Sequence, residues 1–190
     1  TRYLYILSIR YNVICHLSPS EQESMYNQIA IKISNKEYKR ASNVKNGEEF
    51  KRLYPDDNVF FNAFEFHRMP SRQTAKKIRF LLAEIEQYLG NNCDHEKVTL
   101  EHICPFNPEK GWCNSFGEGV NDVKDRLGNM VLMDKDNLKR ASFEVKKNEY
   151  GKSKYKLAAK ITQYPEWNLE AVNDFQKWMS EQAVNVWKVG

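Results

Sequence analysis

The chain of 190 residues contains no apolar run approaching the roughly 20 residues that a helix needs to cross a bilayer, so no helical span is encoded. It also lacks any CxxC pair. Cys15, Cys93, Cys104 and Cys113 are scattered, whereas structural zinc normally wants closely spaced ligands. The thiols are therefore expected to be reduced and mostly buried. Strong charge of one sign is missing too. The balance of 29 basic and 25 acidic residues leaves +4, too mild to imply a nucleic-acid partner by itself. There is no internal repeat and no low-complexity tract, which excludes solenoids and biased linkers. Thr1 to Ile14 is apolar in places, but Arg2 and Arg10 interrupt it and no small-residue cleavage site follows, so it does not read as a secretory signal. The expected compartment is the cytoplasm, and a first residue of Thr1 rather than Met suggests a piece of a longer chain.

What is present is enough apolar material to fold. Hydrophobic residues make up 41% and aromatics 13%, ordinary values for a globular chain of one large or two small domains. Leu4, Leu7, Tyr11 and Ile14 recur at helical spacing. Ser18-Pro19 reads as a cap with proline at the first helical position, opening a helix to about Lys36 with Met25, Ile29 and Ile33 on one face. Glu48 to Leu53 and the phenylalanine-rich Asp57 to Phe66 are further helices. Ser71 is expected to cap a helix lined by Ala75, Ile78, Leu82, Ile85 and Leu89 and ended by Gly90. Arg72, Lys76 and Arg79 share another face of it, either solvated or tracking phosphates. A last amphipathic helix runs through Val172, Phe175, Met179, Ala183 and Val186, with Trp178 and Trp187 as core anchors.

The chemistry concentrates between Thr99 and Tyr150. A short apolar strand ends in Glu101-His102, and a second strand follows Gly128-Asn129. A helix opened by Asp136 and Asn137 is expected next, with helix continuing from Phe143 to Ile161. This order brings an imidazole, a carboxylate and one or two carboxamides onto a compact β-β-α unit. Such a set can hold a divalent ion against a phosphate while the histidine deprotonates water. Adjacent residues on a regular strand point to opposite faces. Glu101 and His102 can therefore share a site only if the strand bends or ends there, as Pro105 allows. Between Lys135 and Lys160 nine basic residues face three acidic ones, a local excess of six. It suits a polyphosphate backbone, or simply a solvated surface.

Four motifs in this order carry a resemblance: Glu101-His102-Ile103-x-Pro105, Leu127-Gly128-Asn129-Met130-x-Leu132, Asn137, and Phe143-x-x-Lys146-Lys147-x-x-Tyr150. Together they resemble the HNH nuclease domain of the GmrSD and SspE kind, bacterial anti-phage restriction enzymes that cut modified or phosphorothioated DNA. The likeness extends from about Arg72 to Trp187. It implies an α+β fold, mainly α-helical, with a small ββα-metal (HNH) unit at about 98–150. Residues 71–190 would be the nuclease domain with flanking helices, and residues 1–70 a helical linker or the end of a preceding domain.

His102, whose type titrates at about 6.5, is the candidate general base. The resemblance implies Glu101 as ligand of Mg²⁺ or Mn²⁺, with Asn137 reaching the same metal. Asn137 would serve equally well as an ordinary helix cap. Asn129 is implied to hold the loop of the first motif and so to place the base, and it is counted with His102 and Asn137 among the catalytic candidates. Arg126, Lys139, Arg140, Lys146 and Lys147 are the candidate DNA contacts. No aromatic-interleaved base-reading motif is present, so the grip would fall on the backbone. The family often shows an arginine in the last helix, where this chain reads Asn173-Asp174-Phe175-Gln176-Lys177. The likeness further implies an upstream nucleotide-hydrolysing sensor domain in the full-length protein. The resulting expectation is a metal-dependent DNA endonuclease. The alternatives are a catalytically decayed nucleic-acid-binding or assembly module, and a ribonuclease.

Overall fold

The computed structural model describes residues 2–108, 112, 115–116, 119–135 and 138–189. The chain divides into two compact units, Thr1–Phe64 with Trp187–Gly190, and Glu65–Val186. Among the described residues no helix is long and apolar enough to cross a membrane.

In the first unit, α1 (Arg2–Leu7) runs into a π-helical stretch, Ser8–Ile14. Then come α2 (Pro19–Ser34), α3 (Ala41–Asn46), α4 (Glu48–Leu53) and α5 (Asp57–Glu65). Leu7, Tyr11, Met25, Phe50 and Leu53 form the core. The widened π turn brings Arg10 inside as well. Its guanidinium is fully buried, donates to the carbonyls of Trp187 and Pro55 and to Asp57, and lies over the rings of Tyr54 and Phe60. In the sequence Arg10 only interrupted an apolar stretch; here it is a satisfied core charge. Leu4 and Ile33, expected on the buried stripes, are half exposed.

The second unit is organised on α6 (Ser71–Tyr88), which buries Ile78, Leu81, Leu82 and Ile85. Pro70 rather than Ser71 occupies the cap position, and Gly90 ends the run at φ +85°, a left-handed turn that suits glycine. α6 packs on a two-stranded antiparallel sheet, β1 (Thr99–His102) and β2 (Met130–Met133), with Thr99 opposite Met133 and His102 opposite Met130. A short helix α7 (Val120–Val123) and a 3₁₀ turn, Leu127–Asn129, lead into β2. Met130, Val131 and Leu132 are all buried, because α6 and α9 (Lys156–Ile161) both pack on this strand. α10 (Leu169–Val186) packs on the 3₁₀ turn and on α6.

The fold is thus mainly helical with one small β pair. Asp136 and Asn137 lie outside the described residues, as does Cys113. The described helix after β2 is α8 (Phe143–Gly151), capped by Ser142 through its hydroxyl and the Val145 amide. It does not run on to Ile161 as expected. The buried carboxylate of Glu86 accepts from the Lys156 and Leu157 amides at 2.9 and 2.7 Å and starts α9 as a separate helix. Among the thiols, Cys104 is buried, whereas Cys15 and Cys93 are half-buried and pushed up to about 11 by that burial.

Candidate active site

The acid and the histidine lie at the end of β1. Glu101 is buried, His102 is half-buried, and both border one cleft of about 210 Å³ together with Phe106, Lys139 and Arg140. The opposition expected of neighbouring strand residues is relieved because β1 stops at His102. There the chain is pulled onto Asn129. The Ile103 amide donates to the Asn129 carbonyl at 2.9 Å, the Cys104 amide donates to Oδ1 at 2.8 Å, and Nδ2 donates to the Cys104 carbonyl at 2.9 Å. The Trp167 indole donates to the same Oδ1 at 3.1 Å. Asn129 is fully buried and clamps the loop that follows the histidine.

Behind the strand lies a buried charge. Lys146 Nζ donates to Glu101 Oε1 at 2.5 Å and to the His102 carbonyl at 2.6 Å, and its side chain is closed from solvent. A carboxylate this deep would be driven to protonate without such a partner. The Tyr150 phenol is enclosed on the same side. Burial first, and then the Glu101 carboxylate, hold its pKa well above the ordinary value. Tyr150, the last residue of the Phe143-to-Tyr150 motif, therefore backs the acid rather than bordering the cleft.

Gly128 is required by proximity and not by a positive φ. A Cβ there would lie 2.6 Å from Gln176 Cβ and 2.8 Å from the Val172 carbonyl of α10. Gln176, at the place where the resemblance led one to look for an arginine, is a buried anchor. Its Oε1 accepts from Arg126 Nε at 2.7 Å and from the Gly128 amide at 3.1 Å, and its Nε2 donates to the His67 carbonyl.

The five candidate DNA contacts separate. Lys139 and Arg140 are exposed at the cleft, with Lys139 at φ +41°. Lys146 and Arg126 differ from the expectation: both are buried and engaged within the protein, Arg126 with Gln176 and the Glu65 carbonyl, and neither presents its charge to solvent. Burial also lowers the Arg126 pKa. Lys147 donates to the Tyr164 carbonyl at 2.6 Å. Part of the basic run beyond β2 is paired as well, Lys152 with Glu149 and Lys154 with Asp134. Asn137, expected at the metal, lies outside the described residues.

The family model for the C-terminal domain of GmrSD restriction endonucleases matches residues 54–182. The chain belongs to that family. It is a restriction-endonuclease domain, and as such its substrate is DNA. No curated protein matches it. The matched span holds β1, β2, α8 and the Gln176 anchor, so every residue of the site just described falls within it.

Sequence reasoning missed three residues that build this centre. Trp167 read as part of the segment capping the last helix, Gln176 as one residue of the run where an arginine was looked for, and Phe106 as one aromatic in a variable loop. Their only signal is spatial, since each meets the motif residues across more than 25 positions of sequence or through a loop.

Proposed function

We propose that this chain is a metal-dependent endonuclease domain of the HNH type. It would hydrolyse DNA phosphodiester bonds as the nuclease part of a modification-sensing anti-phage restriction protein, downstream of a nucleotide-hydrolysing sensor domain. The observation that carries the reading is the meeting of Glu101 and His102 at one open cleft bordered by exposed Lys139 and Arg140.

Among the described residues no group of three or more His, Cys, Asp or Glu could hold a metal ion, which does not fit a closed zinc site. The donors fit a hydrated hard cation, Mg²⁺ or Mn²⁺, which takes one or two carboxylates, keeps several waters and shares substrate phosphates. Glu101 would hold it, with Asn137 as the second ligand. When bound, such a cation neutralises the charge that builds on the phosphoryl and leaving oxygens. His102 takes the proton of the attacking water as the new phosphorus–oxygen bond forms and the bond to the leaving sugar oxygen breaks, that oxygen taking a proton from solvent. Asn129 fixes the loop on which that ring stands. Lys146 holds Glu101 and the His102 carbonyl in one arrangement, and Lys139 and Arg140 grip the strand without reading its bases.

Plasmid nicking with Mg²⁺ or Mn²⁺ against EDTA, with His102→Ala alongside and RNA offered next to DNA, tests this reading. Nicking should need the cation and fall by about 100-fold or more in the variant at unchanged helical content. Undiminished cleavage by His102→Ala would remove the proposed base, and cleavage of RNA alone would change the substrate.

A further inference from the structure

The ring of Phe106 stands edge-on to the His102 imidazole, 6.3 Å between centroids at 89°, on the border of the cleft. Two cations lie over that ring. The Arg72 guanidinium is 4.5 Å from its centroid and the Lys124 ammonium 5.4 Å. Arg72 is exposed, near the start of α6, and among the described residues it has no carboxylate partner. Its neighbours on the same basic face are engaged elsewhere: Lys76 pairs with Glu96, and Arg79 donates to the His95 carbonyl. Lys124 donates to Asn121. One guanidinium of this helix is therefore parked against an aromatic face beside the histidine, with its planar donor set unclaimed among the described residues.

An exposed guanidinium without an anion ordinarily samples many rotamers, and ordering it costs entropy when a ligand arrives. Stacking on a ring removes part of that cost and keeps the in-plane N–H fork available for a phosphate. The neighbouring cleft already carries Lys139 and Arg140 from a different stretch of chain. We propose that Arg72, perched on Phe106, is a phosphate-binding residue of this cleft, gripping a backbone phosphate next to the one cleaved. Phe106 is its positioning residue. This deepens the nuclease reading above and rests on it for the choice of ligand, but it concerns binding and not the chemical step.

Fluorescence anisotropy with a labelled DNA duplex in EDTA tests the contact apart from cleavage. The proteins are the whole chain, Arg72→Ala, Lys77→Ala and Phe106→Leu, each over a range of salt. Lys77 is exposed on the same helix and, unlike Arg72, lies over no ring at the cleft among the described residues, so its loss controls for bulk charge. Arg72→Ala should weaken binding by about five- to tenfold and reduce the salt slope by about one, with Lys77→Ala within about twofold of wild type. Phe106→Leu, which keeps the charge and most of the bulk, should fall between them. Equal losses in Arg72→Ala and Lys77→Ala would overturn the proposal while leaving the nuclease reading intact. No DNA binding by the wild-type chain would overturn both.

Discussion

Lys146 reaches Glu101 and the carbonyl of His102 with one ammonium, at 2.5 and 2.6 Å, in a place closed to water. That single group ties the acid to the backbone of the histidine, so the two cannot shift independently. Replacing Lys146 by Met leaves Glu101 buried without its counter-charge and should cost about 3–5 kcal/mol in urea unfolding. The double variant Lys146→Met, Glu101→Gln should recover most of it, since a neutral pair needs no compensation. A single-variant loss below about 1 kcal/mol, the range of surface pairs, would mean the pair is not closed from solvent in solution.

If Glu101 holds a divalent ion as proposed, that ion would also meet the Lys146 ammonium bonded to the same carboxylate, and phosphate nearby would balance the charge. In His102→Ala, expected to hold DNA without cutting it, Mn²⁺ should bind weakly alone and at least about tenfold more tightly with DNA present. Mn²⁺ paramagnetic resonance reads both affinities directly. Equal values would show that the site takes its cation without help from substrate.

Asn129 satisfies both polar groups of Cys104 and the Trp167 indole. Asn129→Ala strands these buried partners and should cost about 2–3 kcal/mol, with faster hydrogen exchange at the Cys104 amide. Nicking should fall while affinity for DNA in EDTA stays near wild type, because the change frees the loop and touches no phosphate-binding group. A parallel loss of affinity would argue that Asn129 supports the whole cleft rather than the histidine.

Much of this centre was legible because its signals are local. The strand ending at Glu101-His102 and the second strand after Gly128-Asn129 follow from short apolar runs; the helix was expected to open at Asp136 and Asn137, outside the described residues, and its described start after Ser142 came only from the structure. Burial of Lys146 was not legible. Phe143-x-x-Lys146-Lys147 looks the same whether its first lysine faces solvent or a buried acid 45 positions away, and charge near a phosphate site suggested the surface. Arg126 misled for the same reason. The break between α8 and α9 was hidden because its cause, the Glu86 carboxylate, sits on α6 some 70 residues earlier.

Gly128 meets backbone as well as side chain, so the clash cannot be relieved by one rotamer. Gly128→Ala should cost about 1–3 kcal/mol by pushing α10 away from the 3₁₀ turn. Gln176→Ala should be at least as damaging, since Arg126, the Gly128 amide and the His67 carbonyl all lose a partner. Thermal unfolding of both variants checks this, and a neutral Gly128→Ala would show that α10 can yield there.

Acid lability of the first unit should trace chiefly to one carboxyl. Glu49 is lowered from 4.5 to about 2, chiefly by its bond to Lys32, then by a backbone amide and the Tyr38 hydroxyl. Because the folded value lies below the unfolded one, the unfolded chain takes up the proton first as pH falls. The contribution is complete above about pH 4.5 and is lost as pH falls through about 2. Hydrogen exchange across α2 and α4 should rise through that window in the wild-type chain and much less steeply in Glu49→Gln. If Glu49→Gln kept the same acid slope, the titrating group would lie elsewhere. The other depressed carboxyl of the unit is Asp57, where burial is outweighed by bonds from Lys188 and Arg10.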